Sequence, residues 1–324
     1  MPSVREYLMN IRDLNIPILQ APIESTVKLA VAVAEAGGMG SLQGTWEKPE
    51  DAAKLVDSVI QKTNNPFFVN FVLSFRPHAF EAIIEAGAPA VTFSWGIAPE
   101  LIDFAHRKNV AVGVQVGTAD GARVAVSHGA DFIICQGIEA GGHVQSTIEL
   151  ATLLPQVVST AGEVPVFAAG GLATGADIGW AIGMGASGVM LGTRFVATKE
   201  SNAHQLYKET IVASSRSDTV YTVCFDGGWP QAAHRVIRNE ALDLWEDAGC
   251  PPSGRRPGEG DIVARVGSDY EVKRYSSDTP VSSVSGDNVG DWCLYAGTSC
   301  DKVTDIPSVS ELVHRLWQES HSEK

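Results

Sequence analysis

Asp131-Phe-Ile-Ile-Cys-Gln-Gly-Ile-Glu-Ala-Gly-Gly-His143 begins as a short apolar, β-branched run and ends, after a glycine pair, on a histidine. Residues 132–136 have the length and composition of a buried strand, and Gly137 breaks the run. Parallel α/β folds gather ligands at the carboxyl ends of their strands, which is where this histidine falls. Gly141 and Gly142 carry no Cβ, so the backbone there can approach a ligand face and take up positive φ.

Working outward from this segment, further strands are expected at 16–20, 39–42, 67–70, 90–93, 111–116, 166–168 and 188–191. Amphipathic helical stretches alternate with them at 26–36, 49–61, 78–86, 99–107, 118–128, 149–159, 174–184 and 204–213. Eight of each close a (β/α)8 TIM barrel of the α/β class. An open doubly wound sheet is the alternative, but such sheets seldom run to eight regular units.

The alternation stops at residue 214. Residues 214–300 carry Gly, Pro and Ser clusters at Gly227-Gly-Trp-Pro230, at Pro251-Pro-Ser-Gly-Arg-Arg-Pro257 and at 276–286, as expected of an inserted lid or small substrate subdomain near the C-terminus. The barrel is therefore assigned to residues 1–213 and 301–324. Its closing helix spans 309–318, where Leu312, Val313, Leu316 and Trp317 recur at helical spacing.

Composition narrows the class of partner. A net charge of −14 speaks against nucleic acid and anionic membranes, because a phosphate surface must be met by excess Lys and Arg. No apolar run reaches membrane-spanning length, and residues 1–6 lack the apolar core of a signal peptide, so a cytoplasmic enzyme is expected. The five cysteines are an odd number at unrelated spacings with no CxxC, which suggests reduced thiols. A small-molecule substrate follows as the expected partner, and homodimerisation stays open.

Two glycine sites point to an anion. Ala168-Ala-Gly-Gly171, continuing into Leu172-Ala-Thr-Gly175, and Met190-Leu-Gly-Thr193 follow the seventh and eighth strands, the usual phosphate position of a barrel. A lone Gly170-Gly171 pair would only permit a tight turn, but paired sites on adjacent strands favour the anion. Thr193 adds a hydroxyl, and Arg194 either assists the phosphate or pairs on the rim. Pro22 fixes the backbone after the first strand, while Asn70 and Gln136 place amides at strand ends, suited to the edge of a planar ring.

Among eight histidines His143 has the strongest claim to act as base, acid or donor. His204 is a candidate helix cap and His234 a candidate lid residue, whereas His78, His106, His128, His314 and His321 read as solvated. Glu139 either orients His143 or sits at a helix N-terminus. No HExxH, Cys/His cluster, carboxylate triad or nucleophile elbow is present, so a phosphorylated cofactor is expected to carry the chemistry.

These segments, with Pro17-Ile-Leu-Gln-Ala-Pro22, Phe68-Val-Asn70, Leu191-Gly-Thr-Arg-Phe195, Ser201-Asn-Ala-His-Gln-Leu-Tyr-Lys208, Arg235-Val-Ile-Arg-Asn239 and Tyr295-Ala-Gly-Thr-Ser299, resemble the nitronate monooxygenase family. The resemblance implies FMN bound by Ala21, Pro22, Asn70, Gln136, Gly141, Gly142, Gly170, Gly171, Met190, Leu191, Gly192 and Thr193. Tyr295 and Ser299 would close over the phosphate or the ring. It further implies that His143 is the active-site histidine, holding an alkyl nitronate or removing the α-proton of a nitroalkane, with O2 consumed and a carbonyl compound and nitrite released.

Flavin-dependent enoyl-acyl carrier protein reductases and certain NADH:quinone reductases are similar in the same motifs. There NAD(P)H reduces FMN and His143 would protonate the reduced substrate. One departure stands beside the histidine: family members commonly carry glycine two residues on, where this chain has Gln145, so the pocket is expected to differ in shape and polarity. Arg255, Arg256 and Arg265 either bind an anionic substrate group or balance the acid-rich surface, and the second reading is favoured.

Overall fold

The computed structural model describes residues 14–266, 270–284 and 290–322. Residues 1–6, read as lacking a signal-peptide core, the last two residues of the 276–286 cluster, and the ends of the barrel assignment at 1–13 and 323–324 lie outside the described residues.

Strands β1 (Ile18–Gln20), β2 (Gly40–Gln43), β3 (Phe67–Val72), β4 (Ala90–Ser94), β5 (Ala111–Val116) and β6 (Phe132–Gln136) are followed by β8 (Val166–Ala169) and β9 (Gly188–Leu191) in one parallel sheet. The sheet order runs β1-β9-β8-β6-β5-β4-β3-β2, so each strand lies beside its sequence neighbour. Closure comes where Leu19 bridges Met39, with Gln20 N donating to Met39 O at 3.0 Å and Met39 N to Ile18 O at 3.0 Å. The buried Gln20 amide reinforces that seam, donating to Ser41 O at 3.4 Å and accepting from Ser41 N at 3.2 Å. The (β/α)8 barrel expected from the alternation is the observed fold.

Strand alternation decides which side chains reach the mouth. Ile18, Val69, Ile133 and Val189 point outward to the helices, while Leu19, Phe68, Phe132, Ile134 and Phe167 fill the barrel interior. Two residues further along the inward rows come Ala21, Asn70, Gln136 and Ala169 at the carboxyl ends. The polar amides thus occupy the top layer of a core that is apolar below.

Helices α1 (Val27–Glu35), α2 (Pro49–Ile60), α3 (Phe80–Glu85), α4 (Pro99–Arg107), α5 (Ala119–Ser127), α6 (Leu150–Ala161) and α7 (Gly175–Gly183) cover the outside. Pro49 and Pro99 open their helices at first-turn positions where the missing N–H costs nothing. Thr174 caps α7 reciprocally with Asp177, its hydroxyl accepting from Asp177 N at 3.2 Å while the carboxylate accepts from Thr174 N at 3.0 Å. The helix expected from residue 78 begins at Phe80, because Pro77 first opens a turn that closes with Phe80 N on Pro77 O at 3.1 Å.

After β9 come the short α8 (Thr193–Val196) and α9 (Gln205–Ala213), which His204 caps by accepting from Leu206 N at 3.2 Å. The excursion then supplies β10 (Thr219–Thr222), β11 (His234–Ile237), α10 (Glu240–Asp247) and the hairpin β12 (Ile262–Val266) with β13 (Tyr270–Lys273). Ile237, Trp292 and Leu294 from the excursion share one apolar cluster with Val196, Tyr207 and Ile211 from the barrel side. The last helix, α11 (Val309–Ser322), packs on α7 and α1, burying Leu312, Val313 and Leu316. Among the described residues no helix is long and apolar enough to cross a membrane.

Gly40 shows how tightly the helical layer sits on the sheet. A Cβ there would lie 2.1 Å from the Ala30 carbonyl oxygen of α1. Gly40→Ala is expected to cost roughly 1–3 kcal/mol and lower the thermal midpoint by several degrees. Gly183→Ala, where the added methyl meets nothing within 4 Å, is expected to leave the midpoint unchanged or raise it. Melting curves of the two variants check the contrast.

Candidate active site

The loop after β6 does not stay a loop. Gly142 and His143 form β7, a two-residue strand that pairs antiparallel with β11, His143 opposite His234 and Gly142 opposite Arg235. Val144 N adds a bond to Ala233 O at 2.9 Å. From the barrel side the Gln136 amide clamps the same backbone, donating to His143 O at 3.2 Å and accepting from Gln145 N at 2.9 Å. Arg235 reaches over to donate to Ile138 O at 3.0 and 3.2 Å. The histidine is therefore fixed from two directions before any ligand arrives.

Its ring is packed by aromatics and left polar at one atom. The His143 imidazole stacks on Trp229 with centroids 4.2 Å apart and lies 5.5 Å from the Tyr295 ring and 5.4 Å from the His234 ring. His143 Nε2 is buried without a hydrogen-bond partner among the described residues, as is the Tyr295 hydroxyl. Burial, and secondly the neighbouring His234, lower the His143 pKa to about 3, so the ring is neutral near pH 7. A neutral imidazole with an unspent Nε2 can donate to a ligand as the Nε2–H tautomer.

A cavity of about 720 Å³ opens beside this ring. Ala21, Pro22, Asn70 and Gln136 line it, as do Gly141, Gly142 and His143. Asn70 accepts from Thr92 Oγ1 at 2.9 Å and donates to Gln43 Oε1 at 3.3 Å, and Gln43 in turn donates to Pro22 O. Amide groups thus run along one edge of the cavity, suited to a planar ring with donors and acceptors on its rim.

At the far end lie Gly170, Gly171, Met190, Gly192, Thr193 and Ser299, at positions expected at the anion, whereas Tyr295 lies beside His143. Gly170 and Gly171 have φ of +105° and +73°, and no backbone carbonyl among the described residues takes the N–H of Gly171 or Gly192. A Cβ on Gly192 would meet Ala21 at 3.5 Å, an ordinary contact. Free N–H groups beside a cavity suit an anion. Thr193 Oγ1 accepts from Gly297 N at 2.9 Å and still has its proton to give.

Several expectations change on contact with the structure. Leu191 does not line the cavity: strand alternation turns its side chain outward into the core between sheet and helices, and its carbonyl accepts from Ala21 N at 2.8 Å. Gly141 is glycine for a different neighbour, since a Cβ there would lie 2.4 Å from Gly297 N, whereas Gly142, at φ +73°, has nothing within 4 Å. Glu139 does not orient His143, because its carboxylate accepts from Leu150 N at the start of α6 at 3.0 and 3.1 Å. Arg194 turns to Asp305 on the rim and away from the anion end. His234 is fully buried behind His143, its Nδ1 donating to Ala232 O at 2.8 Å and its Nε2 accepting from Phe225 N at 3.2 Å. That pattern holds it neutral, and burial lowers its pKa.

Of the three excursion arginines, Arg256 is an interior staple between Asp226 and Glu259, and Arg265 pairs with Glu271. Gln145 acts on the pocket at one remove, accepting from Gln115 Nε2 at 2.8 Å, and it is Gln115 that lines the cavity. Apart from Tyr295, the aromatic residues of the site are not among the expected positions. Trp46, Phe75, Trp95 and Trp229 also line the cavity, the first three just beyond β2, β3 and β4, and their position after strand ends was the signal. Among the described lining residues none is Lys or Arg. The carboxylates Glu24 and Asp278 are both engaged, by Ser201 and Asn202 and by Tyr270 and Ser276.

A closed barrel with an anion end, an amide-lined edge and a buried neutral imidazole at its mouth is the construction of a cofactor-dependent oxidoreductase. The profile of the nitronate monooxygenase family matches residues 78–319, and the chain belongs to that family of flavin-dependent oxidoreductases. It is 30% identical to (3aS,4S,5R,7aS)-5-hydroxy-7a-methyl-1-oxo-octahydro-1H-indene-4-carboxyl-CoA dehydrogenase of Rhodococcus jostii over 77% of this chain and 70% of that one. The fold is similar to FabK from Thermotoga maritima, at a TM-score of 0.78 and 28% identity over 99% of this chain and 96% of that one. It is also similar to a nitroalkane oxidase from Streptomyces ansochromogenes, at a TM-score of 0.76 and 25% identity over 97% of each chain.

The lowered pKa of His143 has a consequence for stability. Its imidazole titrates near 6.5 when unfolded and near 3 when folded, so between those values the unfolded chain binds more protons. The stability it contributes is complete above pH 6.5 and is lost as pH falls toward 3. His143→Gln is expected to shrink the fall in thermal midpoint across that window and to leave its pH dependence above 7 unchanged, as melts at a series of pH values will show.

Proposed function

We propose that the chain is an FMN-dependent monooxygenase that oxidises alkyl nitronates with O2 to a carbonyl compound and nitrite. The observation that carries this reading is that His143 and Tyr295, with a buried Nε2 and a buried hydroxyl, lie side by side on one cavity that is lined by neither Lys nor Arg among the described residues. A nitronate presents two oxygens sharing one negative charge. Each donor can take one of them, and a charge-assisted hydrogen bond is about twice as strong as a neutral one.

FMN fits the residues present. The N–H groups of Gly171 and Gly192 and the hydroxyl of Thr193 would hold its phosphate, Asn70 and Gln136 the edge of its ring, and Ala21, Pro22 and Gly142 the ring face. When bound, FMN supplies the electron transfer between substrate and oxygen. In the net change the carbon–nitrogen bond breaks, nitrogen leaves as nitrite, and the carbon takes one oxygen atom. Two nitronates share one O2, so atoms and electrons balance.

His143 contributes orientation and a donor. Neutral and buried, it offers a hydrogen bond without a formal charge, and its rigid backbone sets where the nitro group lies. An NAD(P)H-dependent FMN reductase acting on an enoyl thioester or quinone is the competing reading. It is placed second because a dinucleotide or a phosphopantetheine would bring further negative charges, beyond the one phosphate that Gly171, Gly192 and Thr193 would hold, to a cavity lined by neither Lys nor Arg among the described residues.

Aerobic incubation of the FMN-loaded protein with propyl-2-nitronate is expected to consume oxygen and release nitrite, read by an oxygen electrode and a colorimetric nitrite assay. His143→Asn is expected to lower kcat/KM by about a hundredfold or more while FMN stays bound. No oxygen uptake and no nitrite from flavin-loaded protein would overturn the assignment.

A further inference from the structure

Four aromatic residues form a connected wall on the side of the cavity away from the anion end. Trp46 lies 5.8 Å from Phe75, Phe75 lies 5.2 Å from Trp229, and Trp229 lies 4.8 Å from Trp95, each pair edge to face. The wall ends on the reacting corner, where Trp229 stacks on His143. These residues come from three different strand ends and from the excursion, so no single element's packing needs explains the grouping.

Two features mark the wall as built for a ligand. Trp95 sits at φ +59°, a left-handed conformation that a bulky residue adopts only when the surroundings impose it, and the strained backbone brings its indole to the cavity. Trp46 is 59% exposed on the same cavity, a large apolar surface with no protein cover. The Trp229 loop is anchored at its base, with Arg256 paired to Asp226 at 2.6 Å, Trp229 N on Asp226 O at 2.9 Å and Ser277 Oγ on Gly227 O at 2.9 Å. Its position is held by bonds at both flanks.

We infer that the substrate carries a flat, uncharged aromatic group on or next to the carbon that bears the nitro group, and that Trp46, Phe75, Trp95 and Trp229 are its specificity-determining residues. Edge-to-face and stacked rings recognise a flat apolar group, and neither Lys nor Arg is at hand among the described lining residues for a charged tail. The inference rests on the nitronate reading for the reacting group, and on the wall alone for the group beside it.

The test compares propyl-2-nitronate with the nitronate of phenylnitromethane on the FMN-loaded protein. The aryl nitronate is expected to show at least a tenfold lower KM. Trp95→Ala and Trp46→Ala are each expected to raise KM for the aryl nitronate severalfold more than they raise it for propyl-2-nitronate. A second readout needs no turnover: benzaldehyde, the aryl product, is expected to perturb the bound flavin's absorbance saturably, and acetone is not. Equal KM values for the two nitronates, or an aryl preference that survives both substitutions, would overturn the inference. If neither nitronate is oxidised, the nitronate reading fails, and benzaldehyde binding lost in Trp46→Ala and Trp95→Ala still supports the aromatic subsite, whereas no binding sinks it.

Discussion

Antiparallel pairing between Gly142-His143 and His234-Arg235 is the constraint on which the site depends. A histidine at the tip of a barrel loop would be free to sample many positions, and reactive geometry tolerates little such freedom. Here the ladder holds one side of the backbone and the Gln136 amide holds the other. Around it, Arg235 fixes Ile138, Thr298 N donates to Glu139 O at 2.9 Å, and Gly297 packs against Gly141 closely enough to exclude a side chain at either position. The excursion is thus part of the active site's frame, joined to it by backbone.

The same frame sets the electrostatics. His234 sits behind His143 with both ring nitrogens engaged, and burial first, then the proximity of this second imidazole, disfavours protonation of His143. The Tyr295 carbonyl is tied by the Tyr207 hydroxyl at 2.5 Å, and the Tyr295 phenol is buried beside the Cys293 thiol. Neutral donors in a poorly solvated pocket suit a substrate with one delocalised negative charge, since each hydrogen bond there is stronger than in water.

Much of this was legible in the sequence, for physical reasons. The barrel follows from eight apolar runs separated by helical periods, and the alternation of Phe68 with Asn70 or Ile134 with Gln136 already says which side chains share the interior row. Glycine pairs at 141–142 and 170–171 marked backbone that must turn left or lie close to something. Leu191 was misplaced because a contiguous motif was taken whole, although a strand sends neighbours to opposite faces. The β7–β11 ladder, the burial of His234 behind His143 and the aromatic wall are hidden because each depends on a partner far along the chain, which local pattern does not encode, whereas Glu139 takes the helix N-terminal place that was one of its two readings.

The central claim is that this rigid pocket, lined by neither Lys nor Arg among the described residues, admits a nitronate to the flavin. Anaerobic stopped-flow mixing of the FMN-loaded protein with propyl-2-nitronate, NADH and NADPH in turn tests it most directly, followed by the flavin absorbance. The account predicts a change in flavin absorbance with the nitronate and a persistently oxidised flavin with either dinucleotide. Rapid bleaching by NADH or NADPH, with none by the nitronate, would contradict it.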